Sequence, residues 1–123
     1  MLKSYRDLLV WQRAMELVLL VYRVSSEFPR QEIYGLTSQI RRASISVPSN
    51  IAEGYGRATR KEYLQFLSIA QGSLKELETQ AILAERLNYA TTAQVEKLLA
   101  EAERVGKMLG GLIRSLKTEN AHR

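Results

Sequence analysis

The sequence contains no cysteine, and its single histidine, His122, is the next-to-last residue. The lack of cysteine excludes disulfide scaffolds and thiolate zinc sites, and one terminal histidine leaves out the common nucleophile–base pairs of catalysis. Gly54-Tyr55-Gly56 is not a dinucleotide fingerprint, because it has no preceding strand and no third glycine. We therefore expect a protein that is not an enzyme and that uses no metal ion or cofactor.

Long apolar runs are also missing. The longest, residues 17–22, is far shorter than the ~20 residues that cross a bilayer, and Arg13 and Glu16 interrupt any apolar core of a signal peptide. We expect a cytoplasmic protein with no membrane partner. The length of 123 residues fits one domain, residues 1–123, that is large enough to bury a core.

Proline is scarce, with 2 residues, and one of them lies in an unusual place. Within residues 35–56 the apolar side chains recur at spacings of four and three, which predicts a buried helical face; they are Leu36, Ile40, Ala43, Val47 and Ile51. Pro48 falls inside this pattern, where it removes an amide donor and presses on the carbonyl group of Ser44. We expect the second helix to be kinked at Pro48.

Polar side chains surround the expected kink. Ser46, Asn50 and Glu53 lie about one turn apart on one face of the helix, and such side chains can bond freed backbone groups. Two interpretations stay open at this point: a polar cluster that braces the kink, and a polar binding site. The pattern favours the structural one. The two glycines that follow, Gly54 and Gly56, are expected to end the helix through the left-handed conformation.

Three further amphipathic segments flank the second one. The first helix is expected to begin at Asp7, as its N-cap, and to run to about residue 26. The third follows a capping box at Thr59 and Glu62 and reaches about residue 88, and the fourth follows a second capping box at Thr91 and Gln94. Four helices with short connections predict an all-α, up-and-down antiparallel four-helix bundle.

Two adjoining apolar stripes cover more than half of the first helix. The first stripe contains Leu8, Trp11, Met15, Val18 and Tyr22, and the second contains Val10, Ala14, Leu17, Val21 and Val24. A small monomeric bundle would not cover so wide a surface, so the pattern predicts self-association. The alternative is that Leu9, Leu19 and Leu20 simply lie exposed, as single leucines often do.

Two glycines, Gly106 and Gly110, lie four residues apart on the fourth helix. Each costs about 1 kcal/mol of helix propensity relative to alanine. We expect them to let a neighbouring backbone approach closely, which is a packing role rather than a ligand-binding one.

The net charge is +5, from 18 basic and 13 acidic side chains. In an up-and-down bundle the start of helix one, the end of helix two, the start of helix three and the end of helix four meet at one pole. This basic pole collects Lys3, Arg6, Arg57, Arg60, Lys61, Arg114, Lys117 and Arg123, opposed mainly by Asp7, Glu62 and Glu119.

Such a concentration of cations is what binding to a phosphate backbone requires. Arg41 and Arg42 form a separate basic pair on the second helix, of which at least one guanidinium should reach solvent or a neighbouring subunit. The candidate nucleic-acid-binding residues are therefore Arg41, Arg42, Arg57, Arg60, Lys61, Arg114 and Lys117. The alternative is that these side chains complement the dipole of the fourth helix and keep the surface solvated.

Three stretches carry a resemblance to a known family: DLLVWQRAMEL (residues 7–17), YGLTSQIRRASISVPSNIAEGYGR (34–57) and EYLQFLSIAQGSLKELETQ (62–80). Together they resemble the four-helix-bundle proteins encoded in intervening sequences of bacterial 23S ribosomal RNA genes, strongly over residues 5–90. The resemblance implies a cytoplasmic bundle that assembles as a homopentamer around a central channel. It supplies no established biochemical activity.

The family is in turn similar to the accessory variability determinant proteins of diversity-generating retroelements, which are basic pentamers that bind a reverse transcriptase and nucleic acid. Our hypothesis from the sequence is a non-enzymatic homopentamer that holds RNA or DNA without base specificity. The alternative is a protein-docking scaffold or regulator without a nucleic-acid role, in which the positive charge serves solubility or an acidic protein partner.

Overall fold

The computed structural model describes the backbone of residues 2–121 and the side chains of residues 2–118. Its four helices are α1 (Leu9–Ser25), α2 (Leu36–Tyr55), α3 (Arg60–Arg86) and α4 (Thr92–Ala121). Short 3-10 turns, Tyr5–Asp7 and Arg30–Glu32, precede α1 and α2. Residues 2–121 contain no strand, so the all-α prediction is confirmed. His122 and Arg123 lie outside the described residues.

The helices form a closed antiparallel bundle. Each packs against its neighbours in the chain, and α1 also packs against α4. The buried side chains of all four helices make one cluster. Its largest fully buried members are Leu17, Ile40, Ile51, Leu67, Leu77, Leu98 and Leu109. The apolar stripe predicted for α2 is buried along its whole length, which confirms the up-and-down four-helix bundle.

The start of α1 differs from the prediction. Asp7 lies in the preceding 3-10 turn, where its carboxylate accepts hydrogen bonds from the backbone amides of Lys3 (2.8 Å) and Ser4 (3.2 Å). Helix α1 begins at Leu9, after Leu8, without a side-chain cap. The prediction that Asp7 caps α1 was therefore wrong, because free amides on its N-terminal side compete for the same carboxylate.

The two capping boxes differ in how completely they form. At α4, the hydroxyl of Thr91 accepts from the amide of Gln94 (3.1 Å), and the side chain of Gln94 accepts from the amide of Thr91 (2.9 Å). At α3, the hydroxyl of Thr59 accepts a hydrogen bond from the amide of Glu62 (3.1 Å). The carboxylate of Glu62 accepts from the hydroxyl of Thr59 (3.0 Å), whereas in a complete box it accepts from the backbone amide of Thr59. The box at α3 is thus half formed.

Helix α2 continues through Pro48, which is buried. One turn earlier, the hydroxyl of Ser44 donates to the carbonyl oxygen of Arg41 (2.8 Å). Serine therefore bonds the backbone in the turn before the proline, as expected of a hydroxyl next to a disturbed helical ladder. The bend itself stays a prediction.

The glycines serve purposes other than those predicted. Gly56 follows α2 with φ −81°, a right-handed conformation, so the expected left-handed termination is wrong. A Cβ atom at Gly54 would lie 2.8 Å from Cβ of Phe66 on α3, which makes Gly54 the point of close approach between α2 and α3. At Gly106, a Cβ atom would meet only Leu74 Cδ1, at 3.7 Å, among the described atoms of other elements. The close backbone approach predicted there is not found.

Candidate nucleic-acid interface

The two ends of the bundle are identified by contacts between the loops. At one end, the hydroxyl of Tyr89 donates to Glu32 (2.9 Å) and the side-chain amide of Gln94 donates to Glu27 (3.4 Å). The α1–α2 and α3–α4 connections therefore lie together there. At the other end, the 3-10 turn Tyr5–Asp7 packs against α2. This second end holds the basic pole.

Three of the predicted cations are available at the basic pole. Lys61, Arg114 and Lys117 are exposed, and none of them forms an ion pair with another side chain within residues 2–118. Lys3 and Arg6 are exposed at the same end, near the start of α1. Unpaired exposed cations keep their full charge for a ligand.

Two further predicted residues have partners within the chain. The guanidinium of Arg57 lies 3.2 Å from the carboxylate of Glu53 and 4.7 Å from the ring centroid of Phe66. Arg60, the first residue of α3, is half-buried. Because Arg57 has an acidic partner of its own, this side chain adds less to the basic pole than its sequence position suggests.

The basic pair on α2 is divided between two surfaces. Nε of Arg41 donates to the hydroxyl of Ser25 (2.8 Å), and its guanidinium carbon lies 4.5 Å from the ring centroid of Tyr22. Arg41 therefore joins α2 to α1. Arg42 is exposed and lines a groove between α2 and α3, so one guanidinium of the pair does reach solvent, as expected.

The predicted polar cluster is partly assembled. The side-chain amide of Asn50 donates to the carbonyl oxygen of Ser46 (2.8 Å) and to its hydroxyl (2.9 Å). The hydroxyl of Ser46 is also 2.7 Å from that of Ser73 on α3. Glu53 does not join them, since it pairs with Arg57. The sequence reasoning missed Ser73. Its only indication in the sequence is that a hydroxyl-bearing residue lies among the apolar positions of α3.

A second groove, of about 610 Å³, lies between α3 and α4. Gly106 and Gly110 line it together with Gly72, and Arg114 stands at the end nearest the basic pole. Two ion pairs border this groove, Lys75 with Glu78 (3.2 Å) and Lys107 with Glu103 (3.4 Å). The glycines of α4 thus face an open surface of the chain.

The shifted pKa values occur at structural contacts. The pKa of Glu32 is lowered by a hydrogen bond from the amide of Leu36 and by a second from Tyr89. The bond to Glu32 raises the pKa of Tyr89 in turn. Burial, with Tyr55 nearby, raises the pKa of Tyr63 to about 12. These shifts arise from burial and from hydrogen bonds that connect parts of the fold.

We predict that Glu32 makes the stability of the protein depend on pH in the acidic range. A carboxylate whose pKa is lowered on folding stabilises the fold above its unfolded pKa of 4.5, and this contribution is lost as the pH falls through the lower folded value. The stability difference between the wild type and Glu32→Gln should therefore be constant above the unfolded pKa and shrink as the pH falls below it. Urea unfolding from about pH 3 to about pH 7 measures this difference, and a difference independent of pH would contradict the assignment.

Among the side chains of residues 2–118 there is no group of three or more histidine, aspartate or glutamate residues that could hold a metal ion. No helix within residues 2–121 is long and apolar enough to span a membrane.

Fold and surface together define a small antiparallel four-helix-bundle protein with a basic pole. The chain belongs to the 23S rRNA-intervening sequence protein family, whose model matches residues 6–111. It is also similar to the 1.70 Å crystal structure of a protein of unknown function from the S23 ribosomal protein family of Bacteroides thetaiotaomicron VPI-5482. The two chains are 24% identical, with a TM-score of 0.77, over 85% of this chain and 98% of the other. No curated protein matches the chain.

Proposed function

We propose that the protein is a non-enzymatic, homo-oligomeric binding protein that holds RNA or DNA at its basic pole without base specificity. The observation that carries this proposal is the group of exposed, unpaired cations Lys61, Arg114 and Lys117 at one end of the bundle. Assembly into a pentamer would repeat this group five times around the assembly axis.

The chemistry of these side chains suits phosphate groups. A phosphodiester backbone carries a regular row of negative charges, and each lysine or arginine that neutralises one releases condensed counterions. The three cations have long side chains whose ammonium and guanidinium groups donate hydrogen bonds to phosphate oxygens. Backbone contacts without base contacts give binding that tolerates any sequence.

The opposite pole provides a contrast. Glu27 and Glu32 accept hydrogen bonds there, and Glu85 accepts another from the hydroxyl of Thr92 (2.8 Å). Cations of the same half of the bundle, among them Arg30, offset these carboxylates, so this end is nearer to neutral and the basic pole is the favourable end for a polyanion. The bundle therefore has an electrostatic direction, which orients a nucleic acid during its approach.

Binding of a labelled RNA hairpin and of duplex DNA, measured by fluorescence anisotropy against salt concentration, tests the proposal. Affinity should fall as salt rises, with a slope of log K against log salt of about −0.7 to −0.9 per neutralised phosphate. The triple variant Lys61→Gln, Arg114→Gln, Lys117→Gln should reduce the magnitude of that slope by roughly 2 to 3 for one bound subunit.

The matched control removes the same charge from the other end. Arg30, Arg86 and Lys97 belong to the opposite half of the bundle, and their triple replacement by glutamine should leave the slope nearly unchanged. Equal losses in the two triple variants would mean that net charge alone governs binding. Absence of binding at low salt would rule out the nucleic-acid function and leave the protein-docking alternative.

A further inference from the structure

The groove between α2 and α3 contains polar residues of several kinds. Its volume is about 460 Å³, within the range of about 300–1,000 Å³ typical of ligand sites. Its lining residues are Tyr34, Ser38, Gln39, Arg42, Ser46, Ser73 and Glu76, with Ala43. Apart from Arg42 and Ser46, the sequence analysis assigned none of them to a site.

Tyr34 is the most unusual of these residues, because its side chain is 95% exposed. A tyrosine ring has about 150–250 Å² of largely apolar surface to bury, and Tyr34 buries almost none of it within the chain. The ring stands at the edge of a polar groove, immediately before α2. An open aromatic face in such a position is a platform on which a nucleobase stacks.

Arg42 supplies the cation of the groove. It is exposed and forms no ion pair within residues 2–118, whereas the neighbouring Arg41 is held by Ser25 and Tyr22. Arginine binds phosphate oxygens with paired N–H donors. Its freedom leaves these donors available to a ligand in the groove.

Glu76 limits what that ligand can be. Its carboxylate lines the same groove as Arg42 and repels a ligand with several negative charges. It favours a ligand with one negative charge and with N–H donors that a carboxylate can accept. A nucleotide within a single strand meets both conditions, since it carries one phosphodiester charge and exposed N–H groups on its base.

The floor of the groove is held in place by hydrogen bonds. Ser46 and Ser73 join α2 to α3 through their hydroxyls at 2.7 Å, and Asn50 holds Ser46 from one turn away. Ser73 is buried. Two members of the predicted cluster, together with Ser73, thus connect α2 to α3 on the floor of the groove.

We propose that the α2–α3 groove is a subsite for one nucleotide of a single-stranded nucleic acid. Tyr34 stacks on the base, and Arg42 pairs with the phosphodiester. At the edge of the base, Glu76 accepts a hydrogen bond and the side-chain amide of Gln39 donates one. This inference rests on the proposed nucleic-acid function and narrows it to single strands at this surface. A duplex keeps its base faces stacked and cannot use the subsite.

The experiment compares Tyr34→Leu with the full-length wild type on two labelled probes, a single-stranded oligouridylate of about 12 nucleotides and a blunt RNA duplex of equal length. Tyr34→Leu should weaken single-strand binding roughly 5- to 150-fold, the usual effect of losing one stacking platform, and leave duplex binding unchanged. Tyr34→Phe keeps the aromatic face and should bind as the wild type does.

A second pair of variants tests the cation. Arg42→Gln should weaken single-strand binding more than Arg23→Gln, which removes the same charge from an exposed position on α1. Thermal unfolding of each variant checks that the bundle is intact, as expected for exposed positions.

Several results would overturn the subsite. These are no loss in Tyr34→Leu, an equal loss on both probes, or a loss accompanied by a change in sedimentation, which would place Tyr34 between copies of the chain. If the wild type binds both probes through the basic pole and Tyr34→Leu is unaffected, the subsite fails and the proposed function stands. If the wild type binds neither probe, both fail.

Discussion

A methyl group at position 54 is expected to lower the free energy of unfolding by about 1–2 kcal/mol. The new Cβ atom of Gly54→Ala would lie 2.8 Å from Cβ of Phe66 and 3.0 Å from Cδ1 of Tyr63, well inside the ~3.5–4.0 Å at which carbon atoms pack. Cβ of Phe66 is attached directly to the backbone of α3. The two helices must therefore move apart to relieve the contact.

Two opposing effects set the size of this loss. Forcing an extra methyl group into a packed contact costs typically about 1–3 kcal/mol, and the higher helix propensity of alanine returns up to about 1 kcal/mol. The steric cost exceeds the gain in propensity because neither neighbouring atom is the end of a flexible chain. Urea unfolding of both proteins at equal concentration measures the net effect.

Gly72→Ala is the matched control, since the same substitution should have the opposite sign. Gly72 lies inside α3, and a Cβ atom there would meet nothing within 4 Å in the described structure. Only helix propensity and the lower entropy of the unfolded chain then act, and they favour alanine by about 0.4–1 kcal/mol. If Gly54→Ala is as stable as Gly72→Ala, then Gly54 does not set the separation of α2 and α3.

Local sequence patterns were sufficient to predict the helical segments and one complete capping box. The box at Thr91 and Gln94 formed in full because both partners lie within one turn, and the periodic apolar residues of α2 are buried. Asp7 shows the limit of the same reasoning, because its carboxylate can accept hydrogen bonds from backbone amides on either side of it in the chain. Sequence alone does not rank such competing local bonds.

The site was less predictable because it depends on which helix faces meet. Arg41 and Arg42 look alike in the sequence, yet Arg41 is engaged by Ser25 and Tyr22 of α1 while Arg42 lines the α2–α3 groove. The periodicity of one helix does not show which residues of a neighbouring helix its side chains will contact. Glu53 pairs with Arg57, which lies beyond the end of α2, so helical spacing did not indicate this contact either.

A single aspartate on the outer face of α1 is expected to dissociate the proposed pentamer. Met15, Leu19 and Tyr22 are 40%, 52% and 38% exposed, so part of the wide apolar surface predicted for this helix is uncovered within one chain. Ile45, also exposed, lies one turn beyond Arg41, whose guanidinium covers the ring of Tyr22. This places an apolar band along the seam of α1 and α2, of the kind that a neighbouring subunit covers.

Leu19→Asp tests that band with little effect on the single chain. Burying an unpaired carboxylate between subunits costs several kcal/mol, whereas an exposed position of a monomer changes stability by only about 0.5 kcal/mol. Sedimentation velocity at micromolar concentration should show a pentamer for the wild type and a monomer for Leu19→Asp, with equal helical content by circular dichroism. A monomeric wild type would contradict the pentamer and leave the apolar face of α1 unexplained.

Ile69→Asp separates a local effect from a general effect of added negative charge. Ile69 lies on α3 and is 52% exposed, the same fraction as Leu19, so the two variants introduce the same charge at equally accessible apolar positions. If Leu19→Asp alone dissociates the assembly, the interface includes α1. If Ile69→Asp alone does so, the interface lies on α3 and the exposed band of α1 is not its cause. Loss of assembly in both variants would indicate a general effect of the added negative charge, and the dissociation by Leu19→Asp would then not assign the interface to α1.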